Sequence, residues 1–115
     1  HAVIDALLGA LGHSDIGDWF PDTDPANKDR DSAELVRDVL ERAVRPAGRI
    51  VNLDCTIFAQ EPKLGPYREA IRKSIAGMLG LAEDLVNVKF KTNEGLDAVG
   101  QITAIAASAV ALLDD

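Results

Sequence analysis

Near the start of the chain Val3, Ile4, Leu7, Leu8 and Leu11 recur at helical spacing, so one apolar face predicts a helix already under way at His1. No capping residue precedes it and no initiator Met is present, so the expectation is that the chain begins inside an element and that an upstream segment is missing. Residues 12–30 carry no periodicity; Pro21 and Pro25 among Asp15, Asp18, Asp22 and Asp24 predict an irregular stretch without a long regular element. Asp31 with Glu34 three residues on reads as a capping box. It opens a helix to about Val44, with Leu35, Val36, Val39, Leu40 and Val44 on one side, which Arg45-Pro-Ala-Gly-Arg49 ends.

From Ile50 to Ala59 the period changes to two. Val51, Leu53, Cys55 and Ile57 point one way and Asn52, Asp54, Thr56 and Phe58 the other, a strand by pattern and by its β-branched residues. Gln60–Gly65 is a loop, and Pro66 suits the first position of a helix. That helix runs to about Leu79, buries Ile71, Ile75, Met78 and Leu79, and stops at Gly80. Val86–Lys91 alternates again, Thr92–Gly100 is a loop, and Ile102–Leu113 fits either state, its alanines favouring helix. Strands separated by a helix imply an α/β crossover and a mixed or parallel sheet. Two strands alone make a thin sheet, to be completed by a missing strand or by a partner chain.

With 115 residues the chain has length for a single domain, 1–115, and 47% hydrophobic residues against 27% charged give it a globular composition. Its 12 Lys+Arg against 19 Asp+Glu leave a formal charge of −7, a poor general binder of nucleic acid or of an anionic membrane. The single cysteine, Cys55, excludes an intrachain disulfide framework and fits a reducing compartment. No apolar run approaches the roughly 20 residues of a membrane span. The expectation is a soluble intracellular protein, cytoplasmic in a bacterium or in the plastid stroma of a eukaryote.

Asp15, Asp18, Asp22 and Asp24 read either as oxygen ligands for a cation or for substrate hydroxyls, or as a solvated acidic turn. His1 and Asp5 share a helical face, the arrangement of a metal ligand with its orienting carboxylate, or of an exposed histidine. His13 is either a ligand or an exposed loop residue, and Cys55 reads as a buried small hydrophobe. Lys63, Lys89 and Lys91 near strand ends are phosphate contacts or surface lysines. No Walker loop, dinucleotide glycine fingerprint or Ser-His-Asp arrangement stands in the sequence.

Four blocks taken together are similar to one family. They are His1-Ala-Val-Ile-Asp-Ala-Leu-Leu-Gly-Ala10, Asp15-Ile-Gly-Asp-Trp-Phe-Pro-Asp-Thr-Asp-Pro25, Asn52-Leu-Asp-Cys-Thr-Ile-Phe-Ala-Gln-Glu-Pro-Lys63 and Asn87-Val-Lys-Phe-Lys-Thr-Asn-Glu94. They resemble, in order and spacing, the 2-C-methyl-D-erythritol 2,4-cyclodiphosphate synthases of the non-mevalonate route to isoprenoids and terpenoids. The resemblance implies a homotrimer of α/β (α+β) subunits with active sites at the subunit interfaces. Each subunit has a mixed sheet with helices packed on one face, a β-α-β-α-β-β type core lacking its first strand here. The final segment is then a strand. The implied reaction is a lyase cyclisation, in which the 2-phosphate of a cytidine diphosphate-linked methylerythritol attacks the β-phosphorus and expels CMP. Zn2+, or a similar divalent metal, and Mg2+ or Mn2+ assist.

Carried over by position, the resemblance makes His1 a zinc ligand and puts Asp5 one turn along. Asp15, Ile16, Gly17, Phe20, Pro21, Asp22, Thr23 and Asp24 then hold the methylerythritol part. Ala59, Gln60, Glu61, Pro62, Lys63, Leu64 and Gly65 hold cytidine, with Lys63 near the phosphates. Lys91, Thr92, Asn93 and Glu94 meet the diphosphate, Glu94 also binding the second metal, and Ala98 and Gln101 complete the set. Thr92, Glu94 and Asp5 are the expected catalytic residues. Three features depart from the family. Its Asp-x-His zinc ligands and its His-Ser/Ala-Asp loop lie upstream of His1, and Gly100-Gln101-Ile102-Thr103 stands where the family has Gly-Arg-Gly-Glu. The alternative reading is a catalytically impaired trimeric scaffold or a cytidine-nucleotide-binding remnant.

Overall fold

The computed structural model describes residues 1–60, 63–92 and 105–115. Helix α1 (Ala2–Ala10) is followed by a short α2 (Ile16–Trp19) and a 3-10 turn at Pro25–Asn27. Helix α3 (Ser32–Val39) continues through a π-helical turn, Leu40–Val44, into α4 (Arg45–Ala47). Strand β1 (Arg49–Phe58), helix α5 (Arg68–Leu79), strand β2 (Val86–Lys91) and strand β3 (Ala106–Asp114) complete the order. The sheet order is β2-β1-β3, with β1 parallel to β2 and antiparallel to β3, which is the expected mixed sheet. A parallel pair needs a crossover, and α5 supplies it.

The helices cover one face of this sheet, α1 lying on β3 and α5 on β2, with α3 against both helices. Ile4, Leu7 and Leu8 of α1 are fully buried, as is Val39 of α3, against Leu53, Cys55, Val86 and Val88 of the sheet. Each such side chain contributes about 1.5–3 kcal/mol of burial. On β3 the positions beneath α1 are Ala109 and Ala111, small enough for the helix to come close. The alanines of the tail therefore serve strand packing, and tertiary context overrides their helix propensity. Gly48, at φ +156, lets the turn into β1 pass the end of β3, where a Cβ would overlap the Asp114 carbonyl.

Four local expectations change. The register of β1 on β3 slips between Ile50 and Asn52, so Val51 is the extra residue of a bulge and Ile50, not Val51, is buried. In α5 the buried positions are Ala76 and Leu79; Ile71 and Ile75 are half-buried and Met78 is exposed, because the helix leans on the sheet one position around from the expected stripe. The capping box is half formed. Asp31 Oδ1 accepts from the Ala33 N–H at 3.1 Å, while Glu34 turns to Arg30. The helix also outlasts its expected end, running on to Ala47. Gly80 closes α5 as expected, in the left-handed region at φ 67, with the Leu81 N–H bonded to Ala76 O.

Among the described residues no helix packs on the other face of the sheet. On it Asp54 lies beside Asn87 of β2 and Val110 of β3, and Asn52 beside Leu112. Val110 is 71% exposed and Leu112 55%. Asp54 accepts from Lys89 Nζ at 2.7 Å and from Asn87 Nδ2 at 3.0 Å, and these hydrogen bonds, Lys89's first, hold its carboxyl below the usual range.

Candidate functional site

The acidic loop after α1 is built by its own carboxylates. Asp5 Oδ1 accepts from the Ile16 N–H at 2.8 Å, pinning the start of α2 to α1. Asp15 caps α2 through the Asp18 N–H at 2.9 Å, and Asp24 caps the following turn through the Ala26 N–H at 3.0 Å. Ser14 donates to Asp18, and Trp19 Nε1 donates to His13 O at 3.0 Å. His13 is an exposed loop residue with its ring edge-on to Trp19.

This loop, His1 at the start of α1 and Leu35 of α3 line an open cavity of about 530 Å3. Its wall brings together His1, Ile16, Gly17, Phe20, Pro21, Asp22 and Thr23, seven of the residues expected from the sequence. Asp5, Asp15 and Asp24 are not in that wall; their carboxylates are spent on backbone N–H groups. Asp5 is thus a positioning residue for the loop, and does not orient the His1 ring as the helical spacing implied. With Asp22 and Asp29 beside the apolar faces of Ile16, Phe20 and Leu35, the wall suits a hydroxyl-bearing carbon chain better than a phosphate. The sequence reading missed Asn27, Asp29, Arg30 and Leu35 in that wall. The available signal for Arg30 was its spacing, with Glu34 and Asp38 four and eight residues on and one helix face apart.

His1 also borders a smaller, apolar cavity of about 180 Å3 reached by Ile75 and Met78 of α5. Its Nε2 lies 3.5 Å from Ser32 Oγ. Among the described residues no three or more His, Cys, Asp and Glu side chains gather to hold a metal. A tetrahedral zinc site takes three protein ligands or more, and the described residues do not close such a site around His1.

The second constellation stands at the carboxyl ends of β1 and β2, the end at which open α/β sheets bind ligands. Ala59 N–H donates to Lys91 O at 3.0 Å, locking the start of the 59–65 loop to the end of β2. Lys63, Lys91 and Thr92 are exposed there. Gln60 Oε1 is buried with no partner among the described residues. For Lys89 the structure favours the surface-lysine reading, its ammonium paired with Asp54 at 2.7 Å. Glu61, Pro62, Asn93, Glu94, Ala98 and Gln101 lie outside the described residues.

Cys55 is buried, and burial pushes its thiol up, with the Asp54 charge adding to the effect. A raised folded value means that this contribution to stability is complete below the ordinary thiol value and is lost as the pH rises through the higher folded one. A thiol-disulfide reagent at pH 8 is therefore expected to label Cys55 only as fast as β1 opens. Rapid stoichiometric labelling of the native chain would contradict this.

The YgbB family model matches residues 1–114. The 2-C-methyl-D-erythritol 2,4-cyclodiphosphate synthase of Bordetella avium is 51% identical over 98% of this chain and 70% of its own length. That of Geobacillus kaustophilus is 54% identical over 98% of this chain and 72% of its own. Among solved structures, a CDP-bound synthase superposes with TM-score 0.89 at 37% identity, covering 99% of this chain and 73% of that one. The Plasmodium falciparum IspF CDP complex gives 0.84 at 34% identity, covering 98% and 68%.

Proposed function

The chain belongs to the YgbB family, and from that premise we propose that it is a cyclising phosphorus–oxygen lyase of isoprenoid biosynthesis. It converts 4-diphosphocytidyl-2-C-methyl-D-erythritol 2-phosphate to 2-C-methyl-D-erythritol 2,4-cyclodiphosphate and CMP. A 2-phosphate oxygen bonds to the β-phosphorus, the bond from that phosphorus to the oxygen shared with CMP breaks, and CMP leaves. No water enters and no electrons are exchanged. Catalysis is then positioning, exclusion of water and charge neutralisation. The observation that carries the reading is the 530 Å3 cavity that gathers His1 with Gly17, Phe20, Pro21, Asp22 and Thr23.

The polyol part of the substrate fits that cavity, and the cytidine diphosphate part fits the 59–65 loop with Lys63, Lys91 and Thr92. Among the described residues the cavity wall contains none from the second group. A single substrate must touch both, so we assign the two halves of each site to neighbouring copies in a homotrimer. The helix-free sheet face, with Val110 and Leu112 exposed, supports that assembly. The CDP-bound relatives support a nucleotide at the second constellation. No described helix is long and apolar enough to cross a membrane, and the bacterial relatives support a cytoplasmic enzyme.

Metal ions fit this reading in part. His1 is proposed as one zinc ligand and Glu94 as a ligand to Mg2+ or Mn2+; divalent cations there neutralise charge on the phosphates. With one matched ligand, the 115-residue chain is expected to hold zinc weakly. Stoichiometric zinc surviving dialysis against a chelator would show that other residues, such as His13, have joined His1. Incubating the protein with the proposed substrate and magnesium, and following phosphorus NMR, tests the activity. CMP and the cyclic diphosphate should appear together in equal amounts; CMP with a linear phosphate product, or no turnover, would overturn it.

A further inference from the structure

We propose that Arg30, with Asn27, is a positioning clamp that sets the Phe20–Thr23 wall of the cavity. The clamp stands on its own geometry; that it serves the methylerythritol part of the substrate rests on the proposed function. The Arg30 guanidinium reaches in four directions. Nη2 donates to Asp38 Oδ2 at 2.9 Å, Nε to Glu34 Oε2 at 3.4 Å and Nη1 to Asn27 Oδ1 at 3.5 Å, and its carbon lies 5.5 Å over the Phe20 ring. Asn27 in turn donates from Nδ2 to Pro21 O at 2.9 Å. Both routes from α3 therefore end on the dipeptide Phe20-Pro21, whose two residues line the cavity beside Asp22 and Thr23.

Three observations separate this role from that of a phosphate-binding arginine. Two carboxylates already answer the single charge, and the Asp38 hydrogen bond raises the Arg30 value further. The side chain is 22% exposed, so its bonds are shielded from solvent competition more than those of a free surface arginine. Asp29, just before it, holds φ 57, in the left-handed region that aspartate enters more readily than most residues. That turn sends residue 30 back over Phe20. A planar fork can serve Asp38, Glu34 and an aromatic face at once, which a lysine ammonium cannot.

The test compares wild type with Arg30→Ala, Arg30→Lys and Asn27→Ala in the full chain. Amide hydrogen exchange is read first without ligand. Exchange at Phe20, Asp22 and Thr23 is expected to quicken about tenfold or more in Arg30→Ala and Arg30→Lys, with the β1 amides unchanged. Asn27→Ala removes the Pro21 link and the long Arg30 contact but leaves Arg30 on Asp38, Glu34 and Phe20; it should quicken Asp22 and Thr23 alone, which keeps the test open if Arg30→Ala fails to fold. Unchanged exchange, or full restoration by lysine, would overturn the clamp. The lone tryptophan, Trp19, packs against Phe20 and reports titration with the cyclic diphosphate product. Arg30→Ala is expected to weaken that product about tenfold and to leave CDP binding unchanged; equal loss for both ligands would overturn the positioning role. If wild type binds CDP but not the cyclic product while exchange responds as expected, the assignment of the cavity to the polyol fails and the clamp stands.

Discussion

Val110→Lys is expected to convert the assembled protein to a folded monomer and to lower cyclase activity at micromolar protein by about a hundredfold or more. Val110 is the most exposed large aliphatic on the helix-free face of the sheet. It lies directly across from Asp54, so a lysine there gains an opposite-charge cross-strand neighbour within its own chain and the fold should survive. Between copies the balance reverses. A buried valine contributes about 1.5–3 kcal/mol to an interface, whereas a lysine brought out of water costs several kcal/mol that Asp54, already paired with Lys89, does not repay, and the proposed threefold symmetry would repeat that cost in each subunit. Light scattering measures the mass, circular dichroism the fold and phosphorus NMR the turnover. A variant that remains trimeric and active, or a wild type that is a stable monomer at the same concentration, would remove the interface from this face and with it the sharing of sites between copies.

Where the chain's own period set the structure, the sequence was readable almost to the residue. Helix α1 and strand β2 stand where Val3 to Leu11 and Val86 to Lys91 placed them. The readings that failed depend on a partner element distant in sequence. The bulge at Val51 exists only because β3, more than fifty residues on, pairs with β1 out of step there. The tail is a strand because the exposed edge of β1 and the underside of α1 are both waiting for it, facts invisible in a run of alanines. At the site the distinction is sharper. The aspartates that composition singled out divide into builders and wall. Asp5, Asp15 and Asp24 hold backbone N–H groups, and Asp22 faces the cavity. Counting carboxylates cannot separate these roles, because both need the same oxygen atoms and only the backbone's path decides which are free. Asn27 and Arg30 were missed for the converse reason: each acts on the wall through a residue six to ten positions away.

Lys63→Ala is expected to weaken CDP binding in the presence of magnesium by about 1.5–3 kcal/mol, roughly 10- to 150-fold. The loop that carries Lys63 starts from a fixed point, since the Ala59 N–H is bonded to the Lys91 carbonyl at the carboxyl end of the parallel pair. Its backbone can therefore present itself to a pyrimidine edge, while exposed Lys63 and Lys91 stand near the sheet end that would receive the diphosphate. In a chain of net charge −7, an anionic nucleotide gains nothing from the overall field, so local cations must carry its capture. Lys89 provides the internal control. Its ammonium is held by Asp54 at 2.7 Å, so Lys89→Ala should change CDP affinity by no more than about twofold. Isothermal titration of both variants with CDP and with ADP decides the matter. Comparable loss in the two variants would reduce Lys63 to a contributor to the general field, and ADP bound as tightly as CDP would remove the pyrimidine-reading role from the 59–65 loop.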